Sequence, residues 1–149
     1  YKRVLRQPPK GARLLEFTNF YHVSLMADSL EDKTAMHLMD YILQNKSGVY
    51  YIYGGKLSIL PQEFKSKEAS RYIAAIELLA RYKNPGCREK LKFVVEWLNR
   101  NKEPDGYWDM GSSVKDGVYF PLSDSWRKKE SRIKDCTYRI SKLIENIGV

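Results

Sequence analysis

Cysteine and histidine are scarce in this 149-residue chain, which has two of each. Cys87 and Cys136 form no CxxC and lie in no Cys/His cluster of zinc spacing, so a disulfide framework is excluded and reduced thiols in a cytoplasmic protein are expected. His22 and His37 fall on predicted helices with no second ligand at metal-site spacing, so neither a metal nor a cofactor is expected. No apolar run approaches the roughly 18 residues of a membrane span. No signal-peptide-like stretch follows Tyr1, and a chain that opens without Met is expected to be a piece of a longer protein. Phosphate-binding glycine loops, GxSxG and a His-containing triad are all missing.

What is present is basic charge and aromatic residues. The chain has 26 Lys and Arg against 18 Asp and Glu, a net charge of +8, with eleven Tyr, five Phe and three Trp. Apolar content of 43% at this length is enough for a real core and argues against disorder. The charge is localised. Lys2, Arg3, Arg6, Lys10 and Arg13 give residues 1–13 five positives and no acid. Arg127, Lys128, Lys129, Arg132 and Lys134 supply five more against Glu130. Removing +5 and +4 from the total leaves −1 for the body. With Pro8-Pro9 and Gly11, residues 1–13 read as a basic linker or tail ahead of a domain spanning 14–149.

All six prolines lie outside the segments of helical periodicity, and five helices are expected between them. The first, Arg13 to Ala27, is apolar nearly all round. A second opens on the capping-box-like Ser29-x-x-Asp32 and carries Ala35, Met36, Leu38, Met39, Ile42 and Leu43. A third covers Lys67 to Tyr82. A fourth starts after Asn84-Pro85 and carries Leu91, Phe93, Val94, Val95, Trp97 and Leu98. The fifth holds Ile133, Cys136, Ile140, Leu143, Ile144 and Ile147 on one stripe. Val49 to Tyr53, Gly54-Gly55 and Lys56 to Leu60 read as a short β-hairpin, and the loop from Gly106 to Leu122 as a similar excursion. Tyr50, Tyr51 and Tyr53 are candidates for stacking on bases or sugars, with cross-strand packing the favoured role.

The chain also matches itself. Leu38 to Lys46 aligns with Val94 to Lys102, Gly48-Val49-Tyr50-Tyr51 with Gly106-Tyr107-Trp108-Asp109, and Leu78, Leu79 and Tyr82 with Leu143, Ile144 and Ile147. About two repeats of helix, Gly-aromatic turn, long loop and helix are expected, stacked on one another behind a leading helix.

A helix ending in Asn-Lys, then Pro-Asp-Gly-Tyr-Trp-Asp (104–109), then a helix with Asp135-Cys136-Thr137 resembles the repeats of the α/α-toroid superfamily of squalene and terpene cyclases and protein prenyltransferase β subunits. The resemblance implies a mainly all-α toroid of helical hairpins, with short β-hairpin excursions in its long loops. It does not carry the family's chemistry over. The cyclase Asp-x-Asp-Asp acid is absent, and the zinc set of the prenyltransferases is incomplete, since Asp135 directly precedes Cys136 and no His follows. With Tyr-Phe-Pro-Leu-Ser-Asp-Ser-Trp-Arg at 119–127, the chain is similar to bacterial members of this architecture that lack the catalytic motifs.

In such a toroid the long loops open onto a central cavity. Asp109, Asp124, Trp126, Arg127 and Asp135 are therefore candidate ligands for a small anionic or aromatic molecule, or for a protein partner. Arg127, Lys128, Lys129, Arg132 and Lys134 form a candidate anion-facing patch. The competing role for Asp124, Ser125 and Trp126 is helix capping and packing. The leading expectation is a ligand- or partner-binding helical repeat domain without catalysis. Two alternatives stand: a degenerate cyclase-like or transferase-like enzyme with Asp135 or Asp109 as acid, and a less favoured basic module for nucleic acid using the tail and the 127–134 run.

Overall fold

Helices form where apolar residues recur at helical spacing, and the last of them closes on a left-handed glycine, Gly148. A computed structural model describes residues 20–27, 29–114 and 126–148, and within them six helices follow one another. These are α1 (Phe20–Met26), α2 (Asp32–Gln44), α3 (Lys67–Leu79), α4 (Pro85–Glu89), α5 (Lys92–Arg100) and α6 (Lys129–Ile147). The basic tail, the start of the predicted first helix, Asp124, Ser125 and the Val118 to Leu122 stretch lie outside the described residues.

The helix α3 is central. It buries Ala69, Tyr72, Ile73, Ala74, Ala75, Ile76, Leu78 and Leu79, so it is covered on most of its circumference, whereas α2 and α6 each bury a single stripe. α1 packs on α3, α2 on α4, and α5 on α6. A bidentate ion pair joins α3 to α6, with Arg139 Nε 2.5 Å and Nη2 2.8 Å from the Glu77 carboxylate oxygens. Tyr72 sits edge-on to Tyr53 (5.4 Å between ring centroids) and Trp97 (5.6 Å), and Phe64 meets Trp97 at 5.4 Å. Buried hydroxyls find carbonyls: Tyr72 Oη donates to Leu57 O at 2.8 Å and Tyr82 Oη to Val23 O at 2.9 Å.

Local signals set the helix starts unevenly. Asn84 caps α4 as expected, its Oδ1 accepting from Gly86 N (2.8 Å) and Cys87 N (3.2 Å) with Pro85 in the first turn. Ser66 caps α3, accepting from Ala69 N at 3.0 Å. The expected capping box at Ser29 is not formed. Ser29 Oγ donates back to Leu25 O at 3.3 Å and so finishes α1, while α2 starts after Glu31 with no side-chain cap. The expected fourth helix is two helices, because Leu91 leaves the helical region (φ −100°, ψ 0°) to bury its side chain.

The β-hairpin excursions are overturned: among the described residues the chain is all-α, with no strand. Val49 and Tyr53 form an isolated bridge, each backbone N donating to the other's O at 2.9 Å, and Ile52 N also donates to Val49 O at 3.0 Å. The chain therefore reverses at Tyr50 to Ile52, ahead of Gly54-Gly55, with Tyr51 in the left-handed region at φ 72°. Val49, Ile52 and Tyr53 are all buried, which breaks the alternation a half-buried strand requires. The returning segment turns again, Ile59 N donating to Lys56 O, and Ser58 N bonds Leu43 O at the end of α2.

Of the positions that matched between the halves, Gly48 (φ 57°) and Gly106 (φ 88°) share a left-handed conformation, and each closes a turn onto the residue three before it. Tyr41 and Trp97 differ, being 53% and 6% exposed. No helix among the described residues is long and apolar enough to cross a membrane.

Candidate functional site

The turn after α5 aims the loop at α6. Glu103 N donates to Tyr107 O at 2.8 Å, Asp105 Oδ1 accepts from Tyr107 N at 3.3 Å, and Gly106 takes the positive φ between them. Trp108 is thereby turned inward. Its Nε1 donates to Leu98 O at 2.8 Å, satisfying a carbonyl in the last turn of α5, and its backbone N donates to Thr137 Oγ1 on α6 at 3.1 Å. Lys102 Nζ lies over the indole, 4.8 Å from the ring centroid.

Asp109 follows and meets Arg132 in a bidentate pair, Nε to Oδ1 at 2.6 Å and Nη2 to Oδ2 at 3.0 Å. Gly111 N also donates to Oδ1, at 2.8 Å. The third guanidinium nitrogen, Nη1, donates to Trp126 O at 3.0 Å, and Trp126 Nε1 donates to Asp135 Oδ2 at 2.7 Å. Asp109, Trp126, Arg132 and Asp135 are all buried. The hydrogen bond from Arg132 holds the Asp109 carboxyl below its ordinary value against the opposing effect of burial, with Gly111 N–H adding to the depression. Next to Arg132 in the same layer, burial pushes the Cys136 thiol up to about 11.

Three of the expected ligand residues, Asp109, Trp126 and Asp135, thus converge, joined by Arg132. Their polar atoms face one another across the contact between the 106–111 loop and α6. Arg127 is exposed at the rim of this contact, and Asp124 lies outside the described residues. Arg132, expected in the anion-facing patch, is buried and neutralised by Asp109. Arg127, Lys128, Lys129 and Lys134 remain exposed. An acid held ionised by a guanidinium is poorly suited to donate a proton near neutral pH, which weighs against Asp109 as the acid of an enzyme. The partners that sequence reasoning missed are Arg132 for Asp109 and Thr137 for Trp108. The pairs lie 23 and 29 residues apart, so no local pattern links them.

Two other features carry chemistry. The first is the start of α6, where Lys128 is the N-cap and gives no side-chain cap, and Glu130 is the acid of the first turn. Cations here oppose the helix dipole, so helix stability does not account for them. The second is an open cleft of about 430 Å³ lined by Glu63, Phe64, Lys65, Arg100, Lys102 and Glu103 among others, with Lys65 Nζ 2.7 Å from Glu103 Oε1. Among the described residues no group of three or more His, Cys, Asp or Glu is arranged to hold a metal.

No protein-family profile, curated protein or solved structure gives a significant match to this chain.

Proposed function

We propose that this chain is a helical binding module whose partner is an anionic macromolecule held at the basic start of α6. The observation that carries the proposal is the sorting of the cations at 127–134. Arg132 is drawn into the protein and paired with Asp109, while Lys128, Lys129 and Lys134 stay exposed at a helix start whose N-cap residue, Lys128, makes no side-chain capping bond. The Asp109–Arg132 pair and the Trp126–Asp135 hydrogen bond then fix the loop and the start of α6 against each other, so the exposed cations are held in place. A polyanion neutralising them gains by counterion release, which makes its binding fall steeply with salt.

The test is fluorescence anisotropy with a labelled heparin dodecasaccharide across a salt series. The charge-reversed variant Lys128→Glu/Lys129→Glu/Lys134→Glu should bind at least tenfold more weakly, with the salt slope reduced by about 3 on the scale of one unit per lost contact. An unchanged affinity and slope would refute the proposal.

A further inference from the structure

We infer that Asp105-Gly106 is a site of spontaneous covalent modification: the Asp105 carboxyl closes on the Gly106 nitrogen in the folded protein, and the isoaspartyl linkage that follows releases Trp108 from α6. The only co-reactant is water.

A glycine after an aspartate leaves its backbone nitrogen open to the side-chain carboxyl, because no Cβ stands beside it. The chain has two such pairs, at 105–106 and at 116–117, and the second lies outside the described residues. In the first, Asp105, Gly106 and the following Tyr107 are all exposed. A Cβ built at Gly106 would meet nothing within 4 Å. Water and a moving carboxyl therefore both have room.

The turn also sets the approach. Asp105 Oδ1 accepts from Tyr107 N at 3.3 Å, so the side chain is folded forward across the Gly106 peptide instead of extending into solvent. One bond opposes the reaction, since Gly106 N donates to Glu103 O at 2.9 Å. It is a single bond at an exposed turn, of the kind that opens without global unfolding.

The chemistry balances with water alone. Gly106 N attacks Asp105 Cγ and gives up its proton, and the hydroxyl of the carboxylic acid leaves as water, which closes a succinimide ring. A water then adds to one of the two ring carbonyls. Addition at Cγ restores the original linkage. Addition at the main-chain carbonyl of Asp105 breaks the bond from that carbon to Gly106 N, and the chain thereafter runs through Cβ and Cγ.

The product is longer by one backbone atom at a place where length matters. Glu103 N closes the turn on Tyr107 O at 2.8 Å, and the next residue is fixed at two points, Trp108 Nε1 on Leu98 O at 2.8 Å and Trp108 N on Thr137 Oγ1 at 3.1 Å. The extra atom inside the turn displaces Tyr107, and Trp108 with it.

The experiment holds the full chain, folded and at mildly acidic pH, in water enriched in heavy oxygen, then digests it in ordinary water and maps the peptides by mass. Each ring opening leaves one heavy oxygen behind, so the peptide containing Asp105 should gain that mass, and an isoaspartyl methyltransferase should methylate the same peptide. Gly106→Ala, which puts a Cβ beside the nitrogen, should slow the uptake several-fold. Asp105→Glu, whose longer side chain closes a ring far more slowly, should take up almost none there. The isomerised protein, separated by chromatography, should melt below the parent. Uptake in the urea-unfolded chain but none in the folded one would overturn the inference, as would equal uptake in Asp105→Glu. An isomerised chain that melts with the parent would overturn the release of Trp108.

Discussion

Replacing Arg132 with Met removes two hydrogen bonds to Asp109 and one to Trp126 O at a single stroke. The Asp109 carboxylate, 9% exposed, would be left with Gly111 N–H as its remaining partner. Breaking one side of a buried pair costs about 3–5 kcal/mol, because the surviving charge stays desolvated. That is a large share of the 5–15 kcal/mol that domains typically have. At about 3 °C per kcal/mol for a chain of this size, the thermal midpoint should fall on the order of 10 °C. Urea unfolding followed by Trp emission gives the free energy directly. Adding Asp109→Leu to Arg132→Met should recover part of the loss, since the orphaned charge goes too. A second arm varies pH. The folded-state pKa of Asp109 is depressed, so its contribution is complete above the ordinary carboxylate value near 4 and is lost as pH falls through the lower folded value. Acid should therefore destabilise the parent more steeply than Asp109→Asn. A loss under about 1 kcal/mol in Arg132→Met, the scale of an exposed pair, would refute the reasoning.

The two left-handed glycines separate backbone cost from steric cost. Gly106→Ala meets nothing within 4 Å and should cost about 1–2 kcal/mol in urea unfolding, whereas Gly48→Ala also drives its Cβ into the carbonyl oxygens of Gly55 and Tyr53 and should cost clearly more. Equal costs would mean that the chain around Gly48 moves aside freely. Both cysteines are buried, with their thiols raised by that burial, Cys136 to about 11. Iodoacetamide at pH 8 should therefore label neither until the protein is unfolded, as read by intact mass, and rapid native labelling of Cys136 would contradict its packing.

Periodicity was the most reliable guide to this fold. The α2, α3 and α6 stripes were legible because their buried residues recur every three or four positions, and the Asn84-Pro85 start of α4 because its cap is local. The failures share a cause. Val49 to Tyr53 before Gly54-Gly55 has the composition of a hairpin strand, yet Ile52 and Tyr53 are both buried and Tyr51 takes the left-handed conformation that lets them be so. Leu91 breaks an otherwise continuous helical pattern because the core takes its side chain at 1% exposure. In each case tertiary burial overrides a short local signal, and one sequence contains no record of where the core will lie.

The candidate site was legible by residue type and illegible by partner. Asp109, Trp126 and Asp135 were singled out because acids and aromatics gathered near a helix start are what a ligand site needs, and they are brought together. What draws them together is Arg132, whose three bonding nitrogens are all used inside the protein. A buried pair of this kind is weak evidence for net stability and better understood as fixing one arrangement of loop and helix. That changes which residues are open for function. The acids are occupied by the arginine and the indole, Arg132 is lost to the surface, and the cations that remain sit where their own helix gives them no stabilisation.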